Sequence, residues 1–207
     1  MRLVKSLVVA AGVALVALPA FADPVKLKLD RSHLYVGFQV GHIGYSTVHG
    51  RFNEANGEIV FDKDKPEASM VSVTIPTMSV DTNFEARDKH LRTADFFDVE
   101  KFPTMIFKST KVEKTGDNSG RITGELTLLG VSKPVTLDVK FMKLAEHPFP
   151  AYKKVLTAGF SARGKVKRSE FGMTKFVPAI SDEIDLLIDV EAVRCEGEAA
   201  EAPSCKN

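Results

Sequence analysis

Imidazole is the side chain in this 207-residue sequence best suited to chemistry near neutral pH, and there are five: His33, His42, His49, His90 and His147. Each can shuttle protons or ligate a metal. Asp88 and Asp95 stand beside His90 in sequence, so an acid/base or metal cluster is the first chemistry to test. The spacing speaks against it. No two histidines are four apart as in a helical zinc motif, and none joins cysteines in a finger pattern. Gly-x-Ser-x-Gly is absent, and Gly37, Gly41 and Gly44 do not link a strand to a helix as a phosphate loop does. His42 and His49 flank a turn. No motif asks for a cofactor or a metal, and nothing requires an enzyme.

The two cysteines, Cys195 and Cys205, both follow the last apolar segment. An even pair closing a short loop is a candidate disulfide in an oxidising compartment, although spacing alone leaves its state open. The residues between them are acidic, small and proline-bearing, the composition of a mobile tail. At the other end, Arg2 and Lys5 precede an apolar run from Leu7 to Leu18 and a small-x-small site at Ala20-Phe21-Ala22. That order is the order of an export signal, and twelve apolar residues are short for a membrane span. The expected division is a signal peptide at 1–22, one domain at 23–193 and an acidic flexible tail at 194–207, with the mature protein in the periplasm. Lys and Arg number 28 against 27 Asp and Glu, which excludes a strong pull toward nucleic acid.

The elements that must carry any site have a period of two. Inward candidates are Val36, Phe38 and Val40; Val71, Val73 and Ile75; Met105 and Phe107; Leu126 and Leu128; Leu137 and Val139; Phe160; and Leu186 and Ile188. Polar residues such as Lys108, Asp138 and Asp189 alternate with them, so each strand has one dry and one wet face. With strands around 47–52 and 58–62 the count is about nine, separated by turn signals such as those at 116–120 and 130–134. Long crossover helices are missing, so the sheet should be antiparallel and should close into a barrel, the alternative being a sandwich. Thr82-Asn83-Phe84-Glu85 has capping-box spacing and opens a helix expected over 84–93. Its charges form i to i+4 pairs, Glu85 with Lys89 and Asp88 with Arg92. Phe84, Leu91, Phe96 and Phe97 supply an apolar stripe, suited to a plug over one barrel end.

Several segments together resemble the YceI family. They include Ser32-His33, His42-Ile43-Gly44-Tyr45-Ser46, Gly50-Arg51-Phe52, Ser79-Val80-Asp81-Thr82-Asn83 and Arg87-Asp88-Lys89-His90-Leu91-Arg92. Further along come Asp95-Phe96-Phe97-Asp98, Phe102-Pro103-Thr104, the run from Gly124 to Val135 and Arg168-Ser169-Glu170-Phe171-Gly172. The resemblance runs from about Leu27 to Ala192. It implies an all-β fold, an eight-stranded antiparallel lipocalin-like barrel with a short surface helix near one end. It also implies a periplasmic protein whose apolar cavity holds a polyisoprenoid or isoprenoid-quinone-like lipid. Leu129 stands where the family often has a histidine, so a head-group role there lapses.

The aromatic set of 14 Phe, 3 Tyr and no Trp suits an alkyl chain, which offers no hydrogen bonds along its length. It would equally fill a solid core. Arg87, His90 and Arg92 are the candidates for contacts to a polar head group, because an amphiphile leaves its head near the mouth. The leading reading is a lipid-binding carrier or store, neither an enzyme nor a membrane-spanning protein. Its rivals are an enzyme acting on a lipid substrate, a solid-barrel interaction protein and an outer-membrane barrel, the last opposed by the missing aromatic girdle. A homodimer stays open.

Overall fold

A computed structural model describes residues 23–206; the export segment expected at 1–22 lies outside the described residues. Ten strand segments occur in the order β1 (Val25–His42), β2 (Ser46–Phe52), β3 (Asn56–Phe61), β4 (Met70–Pro76), β5 (Val80–Asp81), β6 (Thr104–Gly116), β7 (Ser119–Leu128), β8 (Val131–Glu146), β9 (Leu156–Lys167) and β10 (Ile180–Val193). Helix α1 (Glu85–Leu91) falls between β5 and β6, and a short α2 (Pro203–Lys206) ends the chain. Every pairing is antiparallel, and β10 returns to β1. β2 and β3 lie along one edge of β1, and β5 and β4 lie beyond them. They are therefore two interrupted staves, and the closed barrel has eight. Asn53 bridges the two interruptions, its N–H donating to Ser79 O at 2.9 Å and its side-chain amide to Asp81 Oδ2 at 3.0 Å. Closure leaves no long edge to pair with another chain.

β1 starts earlier than the alternation from Leu34 suggests. Leu29 faces Ala192 and Leu34 faces Val190, so residues 30–33 bulge opposite Glu191. The bulge shifts the parity of the strand, with Leu27 and Leu29 inward before it and Leu34, Val36 and Phe38 inward after it. Bulges re-aim side chains in this way. Asp30 is buried within it and accepts from Ser32 N–H and Oγ at 3.0 and 2.7 Å, while its second oxygen lies 2.9 Å from His33 Nδ1.

One turn expectation shifts. The β7–β8 connection is a two-residue hairpin, Leu129 and Gly130 at φ 52° and 74°, and β8 begins at Val131. Pro134 thus sits inside a strand. It is tolerated because β9 pairs with β8 only from Leu137 onward, leaving that edge without a ladder bond to lose. Gly50 faces Phe38 in the β1–β2 ladder, and a Cβ there would lie 2.2 Å from the Phe38 ring.

Helix α1 is shorter than expected, and Thr82 does not cap it: the N-cap is Phe84, without a side-chain bond. The Thr82 N–H and hydroxyl donate instead to the buried Asp88 carboxylate. Glu85 and Lys89 pair at 2.7 Å as expected. Asp88 and Arg92 do not, because Asp88 serves Thr82 while Arg92 donates to Met78 O and Val80 O. Phe84 leaves the apolar stripe and is exposed, whereas Phe97 is buried and Leu91 and Phe96 pack against the same core.

The residues after Val193, with the composition of a mobile tail, pack onto the barrel end where β1 begins and β10 finishes. Cys195 and Cys205 form a disulfide, Ala202 is buried with Val155 and Val193, and Lys28 Nζ donates to Cys205 O at 3.1 Å. Small side chains and the covalent link allow this close approach where composition alone reads as unfolded.

Candidate functional site

Strand alternation sends every second side chain into the barrel, and those side chains do not fill it. A cavity of about 620 Å³ runs through the barrel, from His42, Val48, Arg87 and His90 at the α1 end to Lys63, Lys114 and the Asp117–Asn118 turn at the other. Val36, Phe38 and Val40 are only half-buried although they face inward, because their free surface borders this space. A packed core would bury them fully. The barrel is hollow.

All fifteen residues read from the alternation as inward border the cavity, from Val36 on β1 to Ile188 on β10. Lys108, Asp138 and Asp189 point to solvent. The outer face carries ion pairs, Arg163 with Asp189 at 3.0 Å and Arg121 with Asp138 at 3.2 Å, where a membrane barrel presents an apolar band. No helix among the described residues is long and apolar enough to cross a membrane.

The alternation left out Phe61 and Phe52 and the loop residues of the wall. Phe61, Phe141 and Phe160 form an aromatic group with centroids 5.2, 5.2 and 5.7 Å apart, and Phe38, Phe52 and Phe97 form another at 5.9 and 5.4 Å. Phe61 and Phe52 lie on short interrupted strands, where the period is too brief to read. Phe176, Met173 and Arg168 come from the β9–β10 loop, which has no period. Arg168 is buried and donates to the carbonyls of Ser181, Met173 and Ile180 at 2.9, 2.9 and 3.0 Å, pinning that loop over the α1 end. Burial pulls its guanidinium below the usual value, opposed by the charge of Asp182.

Of the three cations considered for a head group, Arg87 and His90 border the cavity. Arg87 Nε donates to Thr82 Oγ1 at 2.7 Å and Nη2 to Thr82 O at 2.9 Å. His90 Nε2 lies 2.8 Å from Asp95, which also receives Lys175 at 3.3 Å, and its ring meets Phe96 and Phe176 edge-on. The α1 segment and the β9–β10 loop are thereby joined. Arg92 is the exception: it is not in the cavity wall, because its guanidinium is turned back to Met78 and Val80.

Another polar cluster is the β1 bulge, where Asp30, His33 and Glu191 each offer a donor atom within 4.8 Å of the others. The hydrogen bond to Asp30 raises the His33 pKa above its ordinary value against a smaller effect of burial. Burial pushes Asp30 up, yet hydrogen bonds from His33 and Ser32 outweigh it and the net shift is downward. These groups hold the bulge, away from the lumen.

The YceI-like domain model matches residues 27–192. Protein YceI of Salmonella arizonae is 45% identical over 175 residues, 84% of this chain and 89% of that protein. The crystal structure of the Campylobacter jejuni YceI protein superposes with a TM-score of 0.67 at 38% identity, covering 76% of this chain and 90% of that one. A polyisoprenoid binding domain from Saccharophagus degradans shares the fold, with a TM-score of 0.59 at 11% identity over 83% of this chain and 99% of that one. A closed antiparallel barrel, matched by that domain model across nearly all of its strands, makes this chain a member of the YceI family.

Proposed function

We propose that this protein is a periplasmic carrier or store for a polyisoprenoid or similar long-chain amphiphile, held in the barrel, and that it is not an enzyme. The observation that carries the reading is the cavity: about 620 Å³ walled mainly by Val, Leu, Ile and Phe, within the ~300–1,000 Å³ typical of ligand sites. Such walls supply dispersion and water exclusion without directional donors, which suits a hydrocarbon tail. The polyisoprenoid named for the Saccharophagus degradans domain supports the same ligand class. Lumen-bordering positions on β10 span Ile180 to Val190, roughly 33 Å of strand and about 25 Å along a tilted barrel axis. That is room for an extended tail. We infer that the head group lies at the α1 end, since Arg87 and His90 border the cavity there and cations stabilise a phosphate or quinone oxygen.

Native mass spectrometry of freshly purified protein, followed by solvent extraction, tests this. The expected result is a complex heavier than the polypeptide that yields an extractable long-chain lipid. Protein that stays ligand-free after incubation with isoprenoid lipids in detergent would overturn the reading.

A further inference from the structure

We propose that the α1 end of the barrel docks on the surface of a phospholipid bilayer and that ligand passes there between bilayer and cavity. The passage rests on the carrier reading; the docking does not. Tyr45 at the tip of the β1–β2 turn is 88% exposed, and Ile43 beside it, Phe84 at the start of α1 and Phe176 in the β9–β10 loop are each more than half exposed. The Ile43 N–H bonds Ala179 O at 2.8 Å, joining the turn to that loop. Exposed large side chains grouped at one end of a cavity mark an interaction surface.

Two features favour a bilayer over a protein partner. Phe176 both borders the cavity and faces outward, so the apolar wall continues onto the outer rim and a tail can leave without crossing water. Rings at this end also carry cations: Arg87 lies 5.6 Å from the Phe84 centroid, Lys175 5.3 Å from Phe176 and Lys101 5.1 Å from Phe102. A ring with a cation beside it fits the bilayer interface, where the ring enters the acyl boundary and the cation meets phosphate. Lys175 and Lys89 are also paired with Asp95 and Glu85. Insertion of the rings is therefore the main contribution, and added salt should weaken docking little.

The test is co-flotation of ligand-free protein with vesicles of phosphatidylethanolamine and phosphatidylglycerol, beside uptake of an isoprenoid lipid from detergent and from the same vesicles. Tyr45→Ser with Phe84→Ser changes two exposed side chains outside the cavity wall. This variant should lose vesicle binding and vesicle uptake by ~10-fold or more while taking lipid from detergent like wild type. Met142→Ser with Phe149→Ser, also exposed but toward the opposite end, by the β8–β9 connection, should change neither. Docking is overturned if wild type fails to float, if the first variant floats equally well, or if the second loses as much. Failure of wild type to take lipid from detergent would instead remove the carrier reading and the passage with it, and flotation would still decide docking.

Discussion

Phe160 stands at the meeting point of β8, β9 and the cavity, with Phe61 and Phe141 rings 5.2 and 5.7 Å away. A carboxylate there has no partner and faces apolar walls, a cost of several kcal/mol, roughly 3–5. Phe160→Asp should either fail to fold or fold without retaining lipid, as read by circular dichroism and native mass spectrometry, while Phe160→Leu should keep both. His33 governs a different property. Its folded pKa is raised above 6.5, so its contribution is fully present below that value and is lost as pH rises through the folded value. Asp30, lowered from 3.8, contributes above that value and loses its effect as pH falls through its own folded value. Denaturant midpoints measured from mildly acidic to mildly alkaline pH should therefore fall more steeply for wild type than for His33→Asn. Parallel slopes would remove the proton-linked role of the bulge.

Helix α1 has about two turns, too few to be stable by propensity, and it holds through tertiary contacts. Leu91, Phe96 and Phe97 pack on the barrel core, and the buried Asp88 accepts from both donors of Thr82. Asp88→Asn exchanges a charged acceptor for a neutral amide and should destabilise the protein by about 1–3 kcal/mol. Thermal unfolding reads the loss. If lipid retention from detergent were unchanged in the folded fraction, the pair would have a structural role alone. The β9–β10 loop is held by the same logic, through Arg168 and the bonds of Asp182 to Ser169 N–H and Oγ at 2.8 and 2.7 Å.

For the molecule as a whole, the proposed carrier role makes the cavity the source of selectivity. Its long apolar walls should reward tail length at ~0.8 kcal/mol per buried CH₂ until the lumen is full, and then reward nothing further. Competition on delipidated protein, varying tail length at constant head group and then head group at constant tail, reads this. Affinity that followed the head group and ignored the tail would make the protein a head-group receptor and end the carrier reading.

Period-two alternation was sufficient to assign the inward face of most strands, because a strand's side-chain direction is local and each step turns the next residue to the opposite face. Val36, Val73, Leu137 and Leu186 were legible for that reason. Residues 30–33 were not: the inward parity changes between Leu29 and Leu34, but that three extra residues of β1 stand against Glu191 is fixed only by the pairing with β10. Thr82 and Arg92 read as helix partners by spacing, yet their donors go to Asp88 and to the Met78 and Val80 carbonyls, choices made by which groups are buried together. Whether the barrel is hollow was likewise beyond the sequence. The same Phe, Leu, Ile and Val can fill a core or line a space, and the distance across a closed ring of eight strands decides which.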